Sequence, residues 1–334
     1  MSQRSFNVGG PCDPELHYML PAGPRLQQAR AAIERGAYFA IRARHRVGTS
    51  TSLRALAREL TDEGMYAAVH LSMAAGADYE DDVGAAELEV LASWQAAARE
   101  QLPAELGPPA WVEGSPGEQI LAALMAWSVR CPRPLVLLLD DLGALSELPA
   151  LAVMRQLREG HGARPAGFPA AIGVVGSPTA GSRFMLETLE LADLTLDEVR
   201  TLYAQYTRDT GQMFADEALA RVYHWSQGQP WLVSLIGRRL TEVEVTYHGR
   251  VIEAEDVDAT VKYLVGRSDV YFGRLGERLR EARVRAVVER TIGAARRLPA
   301  EADIRYACDL GLCRFGRDGA LEIGNPMLMD VARA

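Results

Sequence analysis

Residues 38–60 read YFAIRARHRVGTSTSLRALAREL, and this stretch decides the architecture. Its first part, 38–41 (YFAI), is a compact apolar strand candidate; a glycine-containing turn follows, and 52–60 takes up helical periodicity. Residues 135–141, LVLLLDD, carry the same message further along the chain. An unbroken aliphatic run ending in two carboxylates predicts a strand buried on both faces, as in a parallel sheet. Working outward, 25–35 reads as a short amphipathic helix stopped by Gly36, 66–71 (YAAVHL) as a strand, 82–102 as a helix and 117–130 as another. Between the last two lies a Pro- and Gly-rich loop, 102–116, and 171–175 (AIGVV) adds one more strand. Strands and helices alternating at this spacing imply a doubly wound α/β domain.

Beyond residue 191 the pattern turns helical. Thr195 and Glu198 form a T-x-x-E capping box opening LDEVRTLYAQYTRDTG. Helices follow at 215–227 and 231–240, separated by Gly228-Gln229-Pro230, and then near 254–267 and 281–292. The chain closes with 303–312, a strand–turn–strand around Gly316-Arg317-Asp318-Gly319, and a helix from Pro326, an ending with the shape of a winged helix. The expected division is an α/β domain over 1–191, a helical lid over 192–267 and a winged helix over 268–334.

A chain of 334 residues has room for two domains and a small third module. A net charge of −8 argues against gross electrostatic attraction to nucleic acid or to an anionic membrane. The four cysteines, Cys12, Cys131, Cys308 and Cys313, make no zinc-like cluster and read as buried reduced thiols. With no apolar leader at the N-terminus and no apolar run of membrane length, the expected location is cytoplasmic, with no membrane contact. Of 36 basic residues only Lys262 is a lysine, so no chemistry needing a lysine can be placed before it.

The turn after the first strand, Arg42 to Thr51, aligns with the phosphate loop GxxxxGK[ST], in which backbone N–H groups and a helix N-terminus cradle phosphates. Gly48 fits the last glycine and Ser50 the magnesium hydroxyl, while Ala43 replaces the first glycine and Thr49 stands where lysine belongs. A plain strand–turn–helix fits these residues as well. The second stretch adds context: Asp140, at the end of a buried strand, can hold a hydrated Mg²⁺, and Asp141 falls where a water-activating glutamate would stand. Both aspartates also fit ordinary strand-end roles. Arg42, Arg44 and Arg46 can offer phosphate a guanidinium in place of the lysine, or be solvated loop charge.

Taken together, RSFNVGGPCDPELHYMLPAGPRL, YFAIRARHRVGTSTSLRALARELT, RPLVLLLDDLGALS, LTLDEVRTLYAQYTRDTGQMFADEALARVYHWSQGQPWLV and DLGLCRF with LEIGNP resemble the bacterial AAA-like, STAND-type ATP-binding proteins. The resemblance implies a P-loop core, a helical lid and a C-terminal winged helix. It implies ATP or ADP with Mg²⁺ as cofactor, bound through Arg46, Gly48, Thr49, Ser50 and Thr51, with Ser50 and Asp140 on the metal. The N-terminal segment would bring Asp13, His17 and Tyr18 to the base, and Gly228, Gln229 and Pro230 would form the lid motif that couples nucleotide state to lid position.

The chain departs from that pattern where the chemistry happens. Thr49 replaces the lysine, Asp141 the glutamate, and Gly176-Ser177-Pro178-Thr179 the polar or basic sensor after the fourth strand. Phosphoryl transfer depends on positioned charge, and removing one preorganised donor typically costs roughly 2.7–4 kcal/mol of barrier. The expectation is therefore a regulatory module that binds nucleotide, or has lost even that, and acts through protein partners. The alternatives are a slow ATPase switch and a DNA-associated regulator. The last would use the arginine stretch Arg274, Arg278, Arg280, Arg283, Arg285, Arg290, Arg296 and Arg297. Against it, the candidate recognition helix 303–311 sets Arg305 between Asp303 and Asp309, a poor match to a phosphate-lined groove.

Overall fold

Tyr38–Ala43 forms β1, flanked in a five-stranded parallel sheet by β4 (Ala171–Val175) and β5 (Glu187–Leu191). With β2 (Ala67–Ser72) and β3 (Leu135–Asp140) the order is β2-β3-β4-β1-β5. The computed structural model describes residues 4–23, 25–111, 114–163, 167–175, 187–243, 249–267, 272–294, 298–316 and 318–333. The sensor segment Gly176-Ser177-Pro178-Thr179, together with Arg296, Arg297 and Arg317, lies outside them, as does the Arg274 side chain. The chain sorts into two compact units: an α/β unit of Pro21–Ala43 and Thr49–Leu191, and a helical unit of Met1–Leu20, Arg44–Gly48 and Ala192–Ala334.

In the α/β unit every residue of β3 is buried, as its aliphatic run requires. Gly173 of β4 makes room for a neighbour, since a Cβ there would stand 2.7 Å from the Phe39 ring of β1. The edge strand β5 alternates, with Leu189 and Leu191 inward and Glu187 and Glu190 outward. At the other edge, β2 leaves one side of its ladder unpaired by strand. There the Gln101 amide accepts the His70 N–H at 3.1 Å and donates to the His70 carbonyl at 2.8 Å.

The helices of this unit are α1 (Gln27–Glu34), α2 (Thr49–Asp62), α3 (Val83–Gln101), α4 (Gln119–Arg130) and α5 (Glu147–Gly162). Asp82 caps α3 by accepting the Ala85 N–H at 3.0 Å. Trp94 and Trp127 are fully buried, and each indole N–H finds a carbonyl at 2.9 Å, Ser72 and Leu106 respectively. A buried polar group joins three helices. Glu87 of α3 accepts the Gly117 N–H at 2.8 Å and a hydrogen bond from Gln156 of α5, whose own oxygen accepts from Leu121 N–H of α4 at 3.0 Å.

The helical unit opens on α6 (Leu196–Thr210), where the Thr195–Glu198 capping box forms in both directions. α7 (Asp216–Ser226), α8 (Pro230–Arg238) and α9 (Ala254–Gly266) follow, with Pro230 at the first turn of α8, where a missing N–H costs nothing. Then come α10 (Gly273–Arg280), α11 (Ala282–Thr291), α12 (Glu301–Asp309), the antiparallel pair β6 (Cys313–Phe315) and β7 (Leu321–Ile323), and α13 (Pro326–Arg333). The N-terminal segment is threaded into this core. The Phe6 ring lies 4.9 Å from that of Tyr203 and 5.0 Å from that of Tyr18. No helix among the described residues is long and apolar enough to cross a membrane. Cys308 and Cys313 are buried as expected, whereas Cys12 and Cys131 are part-exposed. The expectation of four buried thiols is corrected to that extent: Cys12 lies in the irregular N-terminal segment and Cys131 caps the C-terminus of α4, at the margin of the core it packs against.

Candidate functional site

Three groups on different elements of the α/β unit meet toward the carboxyl ends of the strands, where parallel sheets place their ligand crevice. Ser50 in the first turn of α2 donates to Asp140 Oδ2 at 2.6 Å, and His70 Nε2 lies 3.3 Å from the same oxygen. Asp140 Oδ1 accepts the Asp141 N–H at 2.9 Å. Burial pushes the Asp140 carboxyl up, but the hydrogen bonds from His70 and Ser50, aided by the imidazole charge and the Asp141 N–H, hold it below the usual carboxylate range. The site is thus an anionic oxygen with a hydroxyl beside it, buried to 5% exposure.

Asp141 takes a left-handed backbone, φ 59°, and its carboxylate accepts from the Ser72 hydroxyl at 2.6 Å. Ser72 is the β2 residue in register with Asp140 of β3, so the two acidic side chains are each tied down by a serine. Asp141 is one methylene shorter than glutamate, and its carboxylate already accepts this hydrogen bond.

The rest of the phosphate-loop stretch is described within the helical unit. Gly48 has φ +81°, a conformation that favours glycine. The His45 N–H donates to the Asp309 carbonyl at 2.8 Å, and Gln229 Nε2 donates to the His45 carbonyl at 3.4 Å. Arg44 is ion-paired with Asp193. Arg46, itself at φ 66°, lays its guanidinium 3.8 Å from the centre of the Trp231 ring. Thr49, Ser50 and Thr51 begin α2, and Arg42 stands in β1. The loop arginines named as lysine substitutes are therefore engaged by protein groups, Arg44 by a carboxylate and Arg46 by an indole.

Of the residues assigned to the base, Asp13 and His17 close a turn on each other. The Asp13 N–H donates to His17 Nδ1 at 2.9 Å, and Asp13 Oδ1 accepts from Glu15 N–H at 2.8 Å. Tyr18 is a core residue at 2% exposure, and burial together with the Asp209 carboxylate pushes its hydroxyl up to about 12. Gly228 accepts the Leu194 N–H at 2.9 Å, and Gln229 also accepts from Asn325 at 3.4 Å. Sequence reading missed His70, which lies inside an apolar strand pattern, and Asp193 and Trp231, whose partners are far away in sequence.

The donors present fit a hard cation. Ser50 and Asp140 supply oxygen, and Mg²⁺ is usually held by one or two carboxylates together with phosphate oxygens and water. Among the described residues no group of three or more His, Cys, Asp and Glu side chains forms a metal cage.

Comparison with solved structures places this geometry in a known fold. A Walker-type ATPase of Pyrococcus abyssi superposes with a TM-score of 0.69 at 12% identity, covering 98% of this chain and 99% of that one. Looser matches are the RuvB Holliday junction branch migration motor of Thermotoga maritima, with TM-score 0.46, 16% identity and 90% of each chain covered, and Drosophila ORC bound to DNA, with TM-score 0.45, 13% identity and 98% and 89% covered. No protein-family model matches the chain, and no curated protein matches it by sequence. The chain has an α/β P-loop NTPase fold.

Proposed function

We propose that this chain is a nucleotide-binding regulatory module of the STAND type that holds ATP or ADP with Mg²⁺, turns it over slowly or not at all, and acts through protein partners. The observation that carries the reading is the Ser50 hydroxyl seated 2.6 Å from a buried, ionised Asp140, with a threonine rather than a lysine immediately before it. That pair retains the metal-binding half of a phosphate site. Thr49 and Asp141 lack the charge and the reach that hydrolysis asks of their positions. Bound Mg²⁺ would neutralise phosphate charge; Ser50 and Asp140 would orient it, and His70 holds Asp140 in place. A protein that binds nucleotide without consuming it exerts its effect by differing affinity of its states for a partner.

The elements α11, α12, β6 and β7 are read as a winged helix that serves protein contact rather than DNA. In support, several of its basic side chains sit beside acids: Arg285 with Glu289, Arg305 with Glu301 and Arg314 with Glu322. Calorimetric titration of ATP and ADP, with and without Mg²⁺, tests the reading on wild type, Ser50→Ala and Asp140→Asn. Magnesium-dependent binding that both substitutions weaken, with no turnover in a single-turnover assay, is expected. Rapid hydrolysis by the wild type, or no binding of either nucleotide, would overturn it.

A further inference from the structure

Residues 119–129, QILAALMAWSV, form nearly all of α4 and contain no charged side chain. The other helices of the α/β unit, α1, α2, α3 and α5, all carry charge. α4 packs on α3 and α5, with Ile120, Ala123, Leu124 and Trp127 buried. On its opposite face Ala122, Met125 and Val129 follow Glu118 at i+4, i+7 and i+11, a single row. Met125 is 49% exposed and Val129 70%. A helix apolar on both faces is ordinarily covered on both. We propose that the outer face of α4 docks a basic amphipathic helix of a partner protein. The inference deepens the partner half of the reading above and rests on it, without drawing on the nucleotide site.

The charge around this row identifies the occupant. Residues 74–118 hold ten acidic residues and one basic residue, Arg99, enough to account for the chain's whole net charge of −8. Glu118, exposed at the N-terminal cap of α4, heads the apolar row itself. Toward the other end, the Trp127 indole donates to the Leu106 carbonyl at 2.9 Å, and the Cys131 thiol donates to the same oxygen at 3.8 Å. These bonds bring the turn Ala104–Leu106, with its exposed Glu105, beside the last turn of α4. Arg130 ends the helix in line with Ala123 and Trp127, so it continues the inner row and not the outer one. Arg155 of α5 reaches the Glu118 end, donating to the Gly117 carbonyl at 3.0 Å, and offsets part of the charge there. The balance of the surroundings stays acidic.

A second copy of the chain would set this acidic surround against its own likeness, and like charges brought together are repelled. A basic amphipathic helix meets both features at once. Its apolar anchors at helical spacing lie along Ala122, Met125 and Val129. Its long Lys and Arg stems run over apolar surface while their heads reach the carboxylates. α4 has 12 residues, about three turns, so the contact is small against the roughly 800 Å² per partner of a standard interface. The affinity is accordingly expected in the micromolar range.

The probe is a labelled amphipathic peptide of about 18 residues, about five helical turns, with Leu and Ala on one face and Lys and Arg on the other. It is titrated with the full chain and followed by fluorescence anisotropy; a peptide with Glu in place of every Lys and Arg is the control. Saturable binding of the basic peptide that weakens as salt rises is expected, and none of the acidic one. Met125→Ser with Val129→Ser is expected to weaken binding at least about tenfold. Glu105→Lys with Glu118→Lys is expected to weaken it about tenfold as well, with a shallower salt dependence. All four side chains are exposed, so both double variants are expected to keep the wild-type melting curve, which is recorded alongside. No binding of the basic peptide, equal binding of the acidic one, or unchanged affinity in both double variants would overturn the proposal. Self-association of the chain that Met125→Ser with Val129→Ser abolishes would overturn it too, by naming a second copy as the occupant. The peptide titration is run without nucleotide, so its failure and a failure to bind ATP are read separately.

Discussion

Gly228 and Leu194 are joined backbone to backbone: the Leu194 N–H donates to the Gly228 carbonyl at 2.9 Å, and a Cβ on Gly228 would stand 1.9 Å from the Leu194 carbonyl oxygen. Gly228 also has φ +77°, which alone costs an L residue about 1–2 kcal/mol. Two backbones cannot part without breaking the hydrogen bond between them. Gly228→Ala is expected to destabilise the helical unit by about 3 kcal/mol or more, at the severe end for a single substitution. Urea denaturation followed by circular dichroism measures it, and a loss below about 1 kcal/mol would show that the α7–α8 turn yields more easily than its packing implies.

Restoring the missing lysine by Thr49→Lys is expected to improve ATP affinity without producing a fast ATPase. The new ammonium would return charge to the phosphates, yet Asp141 would remain short and bonded to Ser72. Groups acting as a catalytic unit are strongly non-additive, so one repair leaves most of the deficit. Single-turnover hydrolysis near the roughly 1–100 s⁻¹ typical of kinases would show Asp141 to be competent.

Asp140 sets a pH dependence whose sign follows from its shift. Its folded-state carboxyl is held below its unfolded value of about 3.9. The stability this supplies is present above the unfolded value and is lost as pH falls through the folded one. The stability difference between wild type and Asp140→Asn is therefore expected to stay level from neutral pH to about pH 5 and to narrow below about pH 4. Chemical denaturation of both proteins across that range reads it; a difference that widens on acidification would reverse the sign assigned to His70 and Ser50.

Glu87→Ala is expected to cost about 3 kcal/mol, since it strips partners from the Gly117 N–H and the Gln156 amide in a dry interior. Glu87→Gln, which keeps the shape and one acceptor, is expected to cost less. Equal losses for the two would mean that volume, not hydrogen bonding, is what this position supplies.

Thiol reagents are expected to label Cys12 first in the native protein, Cys131 more slowly because burial raises its thiol too, and Cys313 only on unfolding. Burial, with the neighbouring Cys308, pushes the Cys313 thiol up to about 12, which suppresses the reactive thiolate. Mass spectrometry after brief alkylation distinguishes the sites, and early labelling of Cys313 would mean that the β6–β7 pair opens readily.

Where one force dominated, the sequence was legible. β3 announces itself because a strand covered on both faces must be aliphatic throughout, and α6 because Thr195 and Glu198 satisfy each other locally. β5 was not seen: its alternation of Glu187 and Glu190 with Leu189 and Leu191 is brief, and edge position lets it carry charge. α5 and α10 were passed over as well, the first interrupted by Pro149 and two late glycines, the second rich in arginine with few apolar residues to set a period. Around the site, Ser50 and Asp140 could be paired through a motif. His70 could not, because a histidine within YAAVHL looks like any half-buried strand residue until β3 is laid beside it. The partners of Arg44 and Arg46 are likewise invisible to local pattern, since Asp193 and Trp231 lie far along the chain.

The carboxamide of Gln101 presents His70 with the same acceptor and donor that a neighbouring peptide unit would offer. A bare rim of this kind is a template onto which another copy's extended segment can zip, and proteins guard against such growth with charge, proline or a cover. Here the guard is the Gln101 amide at the end of α3, opposite the midpoint of the strand, joined by the Thr61 hydroxyl of α2, which donates to the Ala68 carbonyl at 3.0 Å and accepts its N–H at 2.9 Å. Incoming backbone must first evict these groups, and the eviction would strand both polar ends of Gln101. Resistance to strand-by-strand assembly on this flank thus rests on side chains lent by two helices: shortening Gln101 and Thr61 to alanine would turn a closed border into an open seam.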